Sequence, residues 1–198
     1  MPRANRRHFL SASAAVAGTV GALPLGQAAI RQALAVQPQR GTGSIADVAH
    51  IVVLTQENRS FDHYFGSLHG VRGFADRFAV PVAGGPGEPR TVWQQSALRP
   101  DAPGHVVQPF HLDTARRFEL MRAEGTPHSW LDAQAAWDHG RMGQWTQAKG
   151  RHAMGYYTAT DLPFQTALAN AFTVCDAYHC SFQGGTNTNR LFLWTGTN

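Results

Sequence analysis

Acidic residues are missing from the start of this chain: none occurs before Asp47. Cysteine is nearly absent, with only Cys175 and Cys180 in 198 residues, and no internal repeat is present. Nor is there an uninterrupted apolar run of the roughly 20 residues that a membrane-spanning helix needs. Each shortage excludes something. Two cysteines flanking Asp176-Ala177-Tyr178-His179 match no familiar zinc spacing, which leaves a local disulfide or a pair of reduced thiols. The chain carries 17 Lys and Arg against 13 Asp and Glu, yet Arg3, Arg6, Arg7 and Arg31 fall in the first 35 residues. The remaining 13 basic residues balance the 13 acidic ones, so the rest of the chain lacks the basic excess that nucleic-acid binding requires.

What is present begins with an address. Asn5-Arg6-Arg7-His8-Phe9-Leu10 is a twin-arginine pattern, followed by an Ala- and Gly-rich run over 11–25 and a small-residue site, Ala33-Leu34-Ala35. This organisation predicts a removable export signal over 1–35, with a soluble amphipathic helix as the alternative. A short lead-in follows at 36–44, and 45–198 reads as one domain part. Export by this route places the protein in the periplasm or outside the cell, and makes the twin-arginine machinery a partner.

The domain is organised around Ile51-Val52-Val53-Leu54-Thr55-Gln56-Glu57-Asn58-Arg59. The β-branched apolar run 51–54 predicts a strand buried on both faces, as in a parallel sheet. Glu57 and Asn58 then lie at the carboxyl edge of that strand, where open α/β sheets bind ligands. A carboxylate beside an amide oxygen suits a hard divalent cation. A polar turn with Asn58 capping the next helix accounts for the same residues.

Downstream, 93–109 reads as irregular with short antiparallel strands, and 114–124 has good helix formers. Thr126 or Ser129 is placed to cap a helix that sets Trp130, Ala133 and Trp137 on one face. Thr160-Asp161-Leu162-Pro163 predicts a helix start with proline in the first turn, running to Ala171. Residues 172–178 read as a second buried strand, and the helix–strand alternation argues for an α/β sandwich. Gly184-Gly185-Thr186 is a glycine turn in which Thr186 serves either as a cap or as a hydroxyl nucleophile near a helix start. Trp130, Trp137, Trp145, Tyr156 and Tyr157 are candidates for an aromatic box around a choline-like cation.

Thr55-Gln56-Glu57-Asn58-Arg59-Ser60-Phe61-Asp62-His63-Tyr64-Phe65-Gly66 resembles the opening motif of the bacterial phosphoesterase family, which holds phospholipases C and a related acid phosphatase. The stretch 171–181, with Gly185-Thr186 and Asn189-Arg190-Leu191, resembles the family's approach to its nucleophilic threonine. Prolines common in that family loop are replaced here by Gly185 and Thr188. The resemblance implies an α/β/α sandwich of alkaline-phosphatase-like type, incomplete at its C-terminus. It implies Thr186 as nucleophile, and Glu57, Asn58 and Thr186 as ligands of a divalent metal ion, with Glu57 and Thr186 converging on that ion. Pro127-His128-Ser129-Trp130 resembles a family segment whose histidine lies near the phosphate, so His128 is expected to donate to it or to protonate the leaving group. The substrate implied is a phospholipid such as phosphatidylcholine or another phosphate ester, with peripheral membrane contact. An acid phosphatase on the same scaffold, or a non-catalytic remnant, is the alternative.

Overall fold

The computed structural model describes residues 22–37, 41–82, 90–96 and 105–198. The twin-arginine pattern lies outside them. Six α-helices are described: α1 (Ala22–Leu34), α2 (Phe61–Phe65), α3 (Trp130–Trp137), α4 (Trp145–Lys149), α5 (Pro163–Ala171) and α6 (Thr186–Thr195). Six strands of two residues each form three small ladders. β1 (Pro81–Val82) pairs antiparallel with β2 (Arg90–Thr91), and β3 (Gln95–Ser96) antiparallel with β4 (Val106–Val107). β5 (Phe110–His111) pairs parallel with β6 (Gly155–Tyr156). The result is a mixed helix and small-sheet chain, consistent with an α/β fold.

The chain divides into two compact units, Met1–Thr55 with Leu162–Val174, and Gln56–Asp161 with Cys175–Asn198. In the first, α1 packs on α5. Gly26 and Ile30, one helical turn apart, are buried on α1. A Cβ at Gly26 would come within 3.0 Å of the Phe164 ring, so the glycine sets how closely the helices approach. Pro163 stands in the first turn of α5, where its missing N–H costs nothing.

The strand expected over 51–54 does not form. These residues join no ladder, and Val52 is 91% exposed. β-branched residues favour strands only where a neighbouring strand and covering faces exist, and none pairs with this run among the described residues. The second expected strand, 172–178, is likewise irregular with a turn at 176–177. The helix expected over 114–124 is reduced to a 3-10 turn, Phe118–Arg122, whose N-terminus has no side-chain cap.

The second unit is built inward from β5 and β6. Leu112, Ala136, Met154 and Tyr157 are its buried apolar residues, and the Tyr157 hydroxyl donates to the Leu120 carbonyl. Gln95 is fully buried and satisfied: its amide donates to Val92 O and Met142 O, and its oxygen accepts from Trp145 N. Asp161 locks the β5–β6 end by accepting from His111, Thr114 and Thr158. Burial alone would raise its pKa, but those donors together hold it well below the usual carboxylate range.

Candidate functional site

Two segments of the second unit, 129 residues apart in sequence, meet at one carboxylate. The first is the turn before α2. Asn58 adopts a left-handed backbone (φ 58°), a conformation that Asn tolerates better than most residues. Arg59 Nη1 closes the turn by donating to Asn58 O at 3.0 Å. Ser60, not Asn58, is the N-cap of α2, its Oγ accepting from His63 N at 3.2 Å. The Asn58 amide is thus left out of capping, and Glu57 stands exposed beside it.

The second segment is the start of α6. The N-cap is Gly185, which has no side chain to satisfy the first amides, so Thr186 is the first helical residue and its hydroxyl is free of capping. Asn189 holds the preceding loop: its Nδ2 donates to Phe182 O (2.9 Å), Gly184 O (3.3 Å) and Gly185 O (3.2 Å), while its Oδ1 accepts from Phe182 N (3.1 Å). A Cβ at Gly184 would lie 2.6 Å from the Phe182 ring, so this turn has no room for a larger residue.

Thr186 and Arg190 lie one turn apart and therefore share a face of α6. That face meets Glu57. Thr186 Oγ1 donates to Glu57 Oε2 at 3.1 Å, and Arg190 donates to Glu57 Oε1 through Nε at 3.1 Å and through Nη2. The Arg190 hydrogen bonds, then the Thr186 hydroxyl, hold the Glu57 carboxyl below its usual range, with a smaller pull from His128. A carboxylate held low keeps its charge and is a poor acceptor of the threonine proton. It is therefore ill suited to act as a general base here.

His128 reaches the same place. It precedes α3, whose N-terminus is closed by a capping box between Ser129 and Asp132. Its Nδ1 lies 3.0 Å from Thr126 O; a carbonyl only accepts, so Nδ1 carries the proton and Nε2 remains for a ligand. Lys149, 8% exposed, anchors this stretch from α4 by donating to Pro127 O at 2.7 Å and to the Asp132 carboxylate. His128 and Thr186 line one open groove of about 800 Å³, with Ser129, Asp132 and Asn187. A second cavity of about 440 Å³ shares the wall 124–128 and is lined by Asn58, His63, Trp137, Trp145 and Cys180.

The expected residues are therefore distributed as follows. Glu57 and Thr186 are in contact, His128 lines the groove with Thr186, and the Asn58 side chain borders the adjoining cavity without a hydrogen bond to either. The donors are hard oxygens, the right kind for a divalent cation, but they are few. Among the described residues no three His, Cys, Asp or Glu side chains gather as a metal cluster. The aromatic box does not assemble. Trp137 and Trp145 line the cavity, whereas Tyr157 is core and Tyr156 packs edge-on against Phe74 at 4.9 Å. Cys175 and Cys180 are free and exposed. Asn189 and Arg190 are the residues to which the sequence assigned no role; their i+3 and i+4 spacing from Thr186 was the available signal.

A sequence model of the phosphoesterase family matches residues 48–198, which takes in every residue of this site. The chain belongs to the phosphoesterase family. Its relatives include a non-hemolytic phospholipase C of Pseudomonas aeruginosa, 51% identical over 98% of this chain and 27% of the relative. A non-hemolytic phospholipase C of Burkholderia pseudomallei is 45% identical over 99% of this chain and 27% of its own length. Phospholipase C B of Mycobacterium tuberculosis is 39% identical over 94% of this chain and 36% of its own. This phosphoesterase chain thus spans between about a quarter and a third of the relatives it matches. Among its described residues no helix is long and apolar enough to cross a membrane.

Proposed function

We propose that this chain carries the nucleophile-bearing part of an exported phosphoesterase of phospholipase C type, on an alkaline-phosphatase-like α/β/α sandwich. The observation that carries the reading is the Thr186–Glu57 hydrogen bond beside His128 in an open groove. The relatives' names favour a phosphodiester of a phospholipid over a monoester. Thr186 Oγ attacks phosphorus and the new O–P bond forms as the Thr186 proton passes to His128 Nε2; the bond to the diacylglycerol oxygen breaks as His128 returns that proton to it, and water then releases the phosphorylated head group from Thr186.

Glu57, Asn58 and Thr186 are the residues that would hold a divalent cation. When bound, such an ion offsets developing negative charge and makes a coordinated hydroxyl a usable nucleophile near neutral pH. Thr186 is held by Asn189 at a fixed helix start, and the Glu57 acceptor aims its hydroxyl. The N-terminal twin-arginine pattern supports export to the periplasm or beyond, with peripheral contact at a lipid surface.

The test is hydrolysis of a chromogenic phosphocholine diester by the protein and by Thr186→Val. We expect the variant to lose at least about a thousandfold in turnover while keeping its circular dichroism. A phosphate adduct on Thr186, trapped by acid quench and read by mass spectrometry, is the direct signature. Near-normal turnover in Thr186→Val removes the nucleophile assignment. Faster cleavage of the matching monoester would make the protein a phosphatase, and no hydrolysis of either would make the chain a non-catalytic remnant.

A further inference from the structure

The cavity that shares the wall 124–128 with the groove has no part in the steps above. It is built within the second unit. Ala133 and Trp137, one helical turn apart, line it from α3, Trp145 from the start of α4, and Met142 and Ala153 from the segments before and after α4. Hydrogen bonds fix this frame. Met142 N donates to Trp137 O at 3.1 Å, and Trp145 N donates at 3.0 Å to the side-chain oxygen of the fully buried Gln95. A preformed, mostly apolar space of about 440 Å³ falls among sites for small organic ligands, roughly 300–1,000 Å³.

Its place relative to the reacting groups is one-sided. His128 lines both the groove and the cavity, whereas Thr186 lines the groove alone. A leaving oxygen protonated by His128 therefore stands where the two spaces meet, and the carbon it carries has the cavity open to it. The charges agree. Histidines apart, the charged side chains of the lining are Arg59, Lys149 and Glu124. With Lys149 paired to Asp132, Arg59 still balances Glu124. A quaternary ammonium gains no net attraction from that set, and an uncharged ester is not repelled by it.

We propose that this cavity receives the glyceride side of the substrate, the uncharged diacylglycerol part, and leaves the charged head group in the groove. The inference rests on the reading of this chain as a phosphoesterase of phospholipase C type with His128 facing the leaving oxygen. Trp137, Met142 and Trp145 are then the residues that set selectivity for the leaving group, through apolar contact with its chains.

The experiment measures binding, so that it is read apart from turnover. Dihexanoylglycerol, a soluble glyceride, is titrated into the full chain by isothermal titration calorimetry, with phosphocholine as the head-group probe. Wild type should bind the glyceride saturably, and saturating phosphocholine should leave that binding in place. Ala133→Leu fills part of the cavity and should weaken the glyceride about tenfold, the loss of roughly two buried methylenes. Leu131→Ala, on the same helix but 74% exposed and outside the lining, should stay within about twofold of wild type.

No saturable binding by wild type overturns the proposal, whether or not Thr186 supports hydrolysis. Unchanged affinity in Ala133→Leu overturns it as well, and so does an equal loss in Leu131→Ala, which would make the binding general apolar adhesion. Competition by phosphocholine gives the cavity to the head group and ends the proposal. Should Ala133→Leu fail to fold, Ala153→Leu carries the test with the same outcomes. Binding that meets every expectation, in a chain that hydrolyses no phosphodiester, supports the glyceride site and removes the catalytic reading alone.

Discussion

At the scale of single residues, Asp62, in the first turn of α2, is a carboxylic acid that burial favours in its neutral form. One of its carboxylate oxygens is buried without a partner, and burial pushes its pKa from 3.8 up to about 6. The folded state therefore holds this proton more tightly than the unfolded state. The stability that comes with the neutral acid is complete below pH 3.8 and is lost as the pH rises through about 6. Asp62→Asn should be more stable than wild type above pH 6, and its melting temperature should vary less between pH 4 and 6. A parallel pH profile for the two proteins would show that Asp62 finds a partner or solvent. Glu57 is the opposite case, a carboxylate whose charge is kept by Arg190 and Thr186.

At the scale of elements, the position of the Thr186 hydroxyl depends on how α6 begins. Gly185 caps without a side chain, so the loop before it is held by Asn189 reaching back to three carbonyls and one amide. Asn189→Ala should cost about 1–3 kcal/mol, because those groups lose their partners together. Amide hydrogen exchange over 182–188 should speed up more than the rest of the second unit. Uniform acceleration would mean that Asn189 acts on global stability alone. Lys149 does the corresponding work for His128, tying α4 to Pro127 and to Asp132 at the start of α3. Lys149→Met leaves the Asp132 carboxylate and the Pro127 carbonyl short of a donor, and should lower stability by about 1–3 kcal/mol in a urea titration.

At the scale of the whole molecule, the apolar run 51–54 lies exposed instead of serving as a central strand. Ile51, Val52, Val53 and Leu54 together form the kind of β-prone, uncharged surface that pairs with other chains. Val52→Asp should leave the melting temperature within about 2 °C, since a side chain 91% exposed loses little burial, and should reduce self-association in light scattering. A large loss of stability would mean that the run is covered in solution. The expectation of a strand over 51–54 missed because a buried strand is only half specified by its own residues. The other half is a neighbour to pair with, and the described residues supply parallel pairing only between β5 and β6.

The sequence by itself determined the features whose causes lie within a few residues: the capped start of α3, narrowed to Thr126 or Ser129 and settled by the structure as Ser129, the proline start of α5 and the glycine turn ahead of Thr186. It also carried the residue types of the site, through the motifs around Glu57 and Thr186 that mark the family. Only the tertiary structure decided that Glu57, Thr186 and Arg190 share one set of hydrogen bonds, and that 51–54 has no strand beside it. Caps and turns are satisfied by neighbours along the chain. Contacts across 129 residues, and strand pairing, depend on which distant segments close on one another.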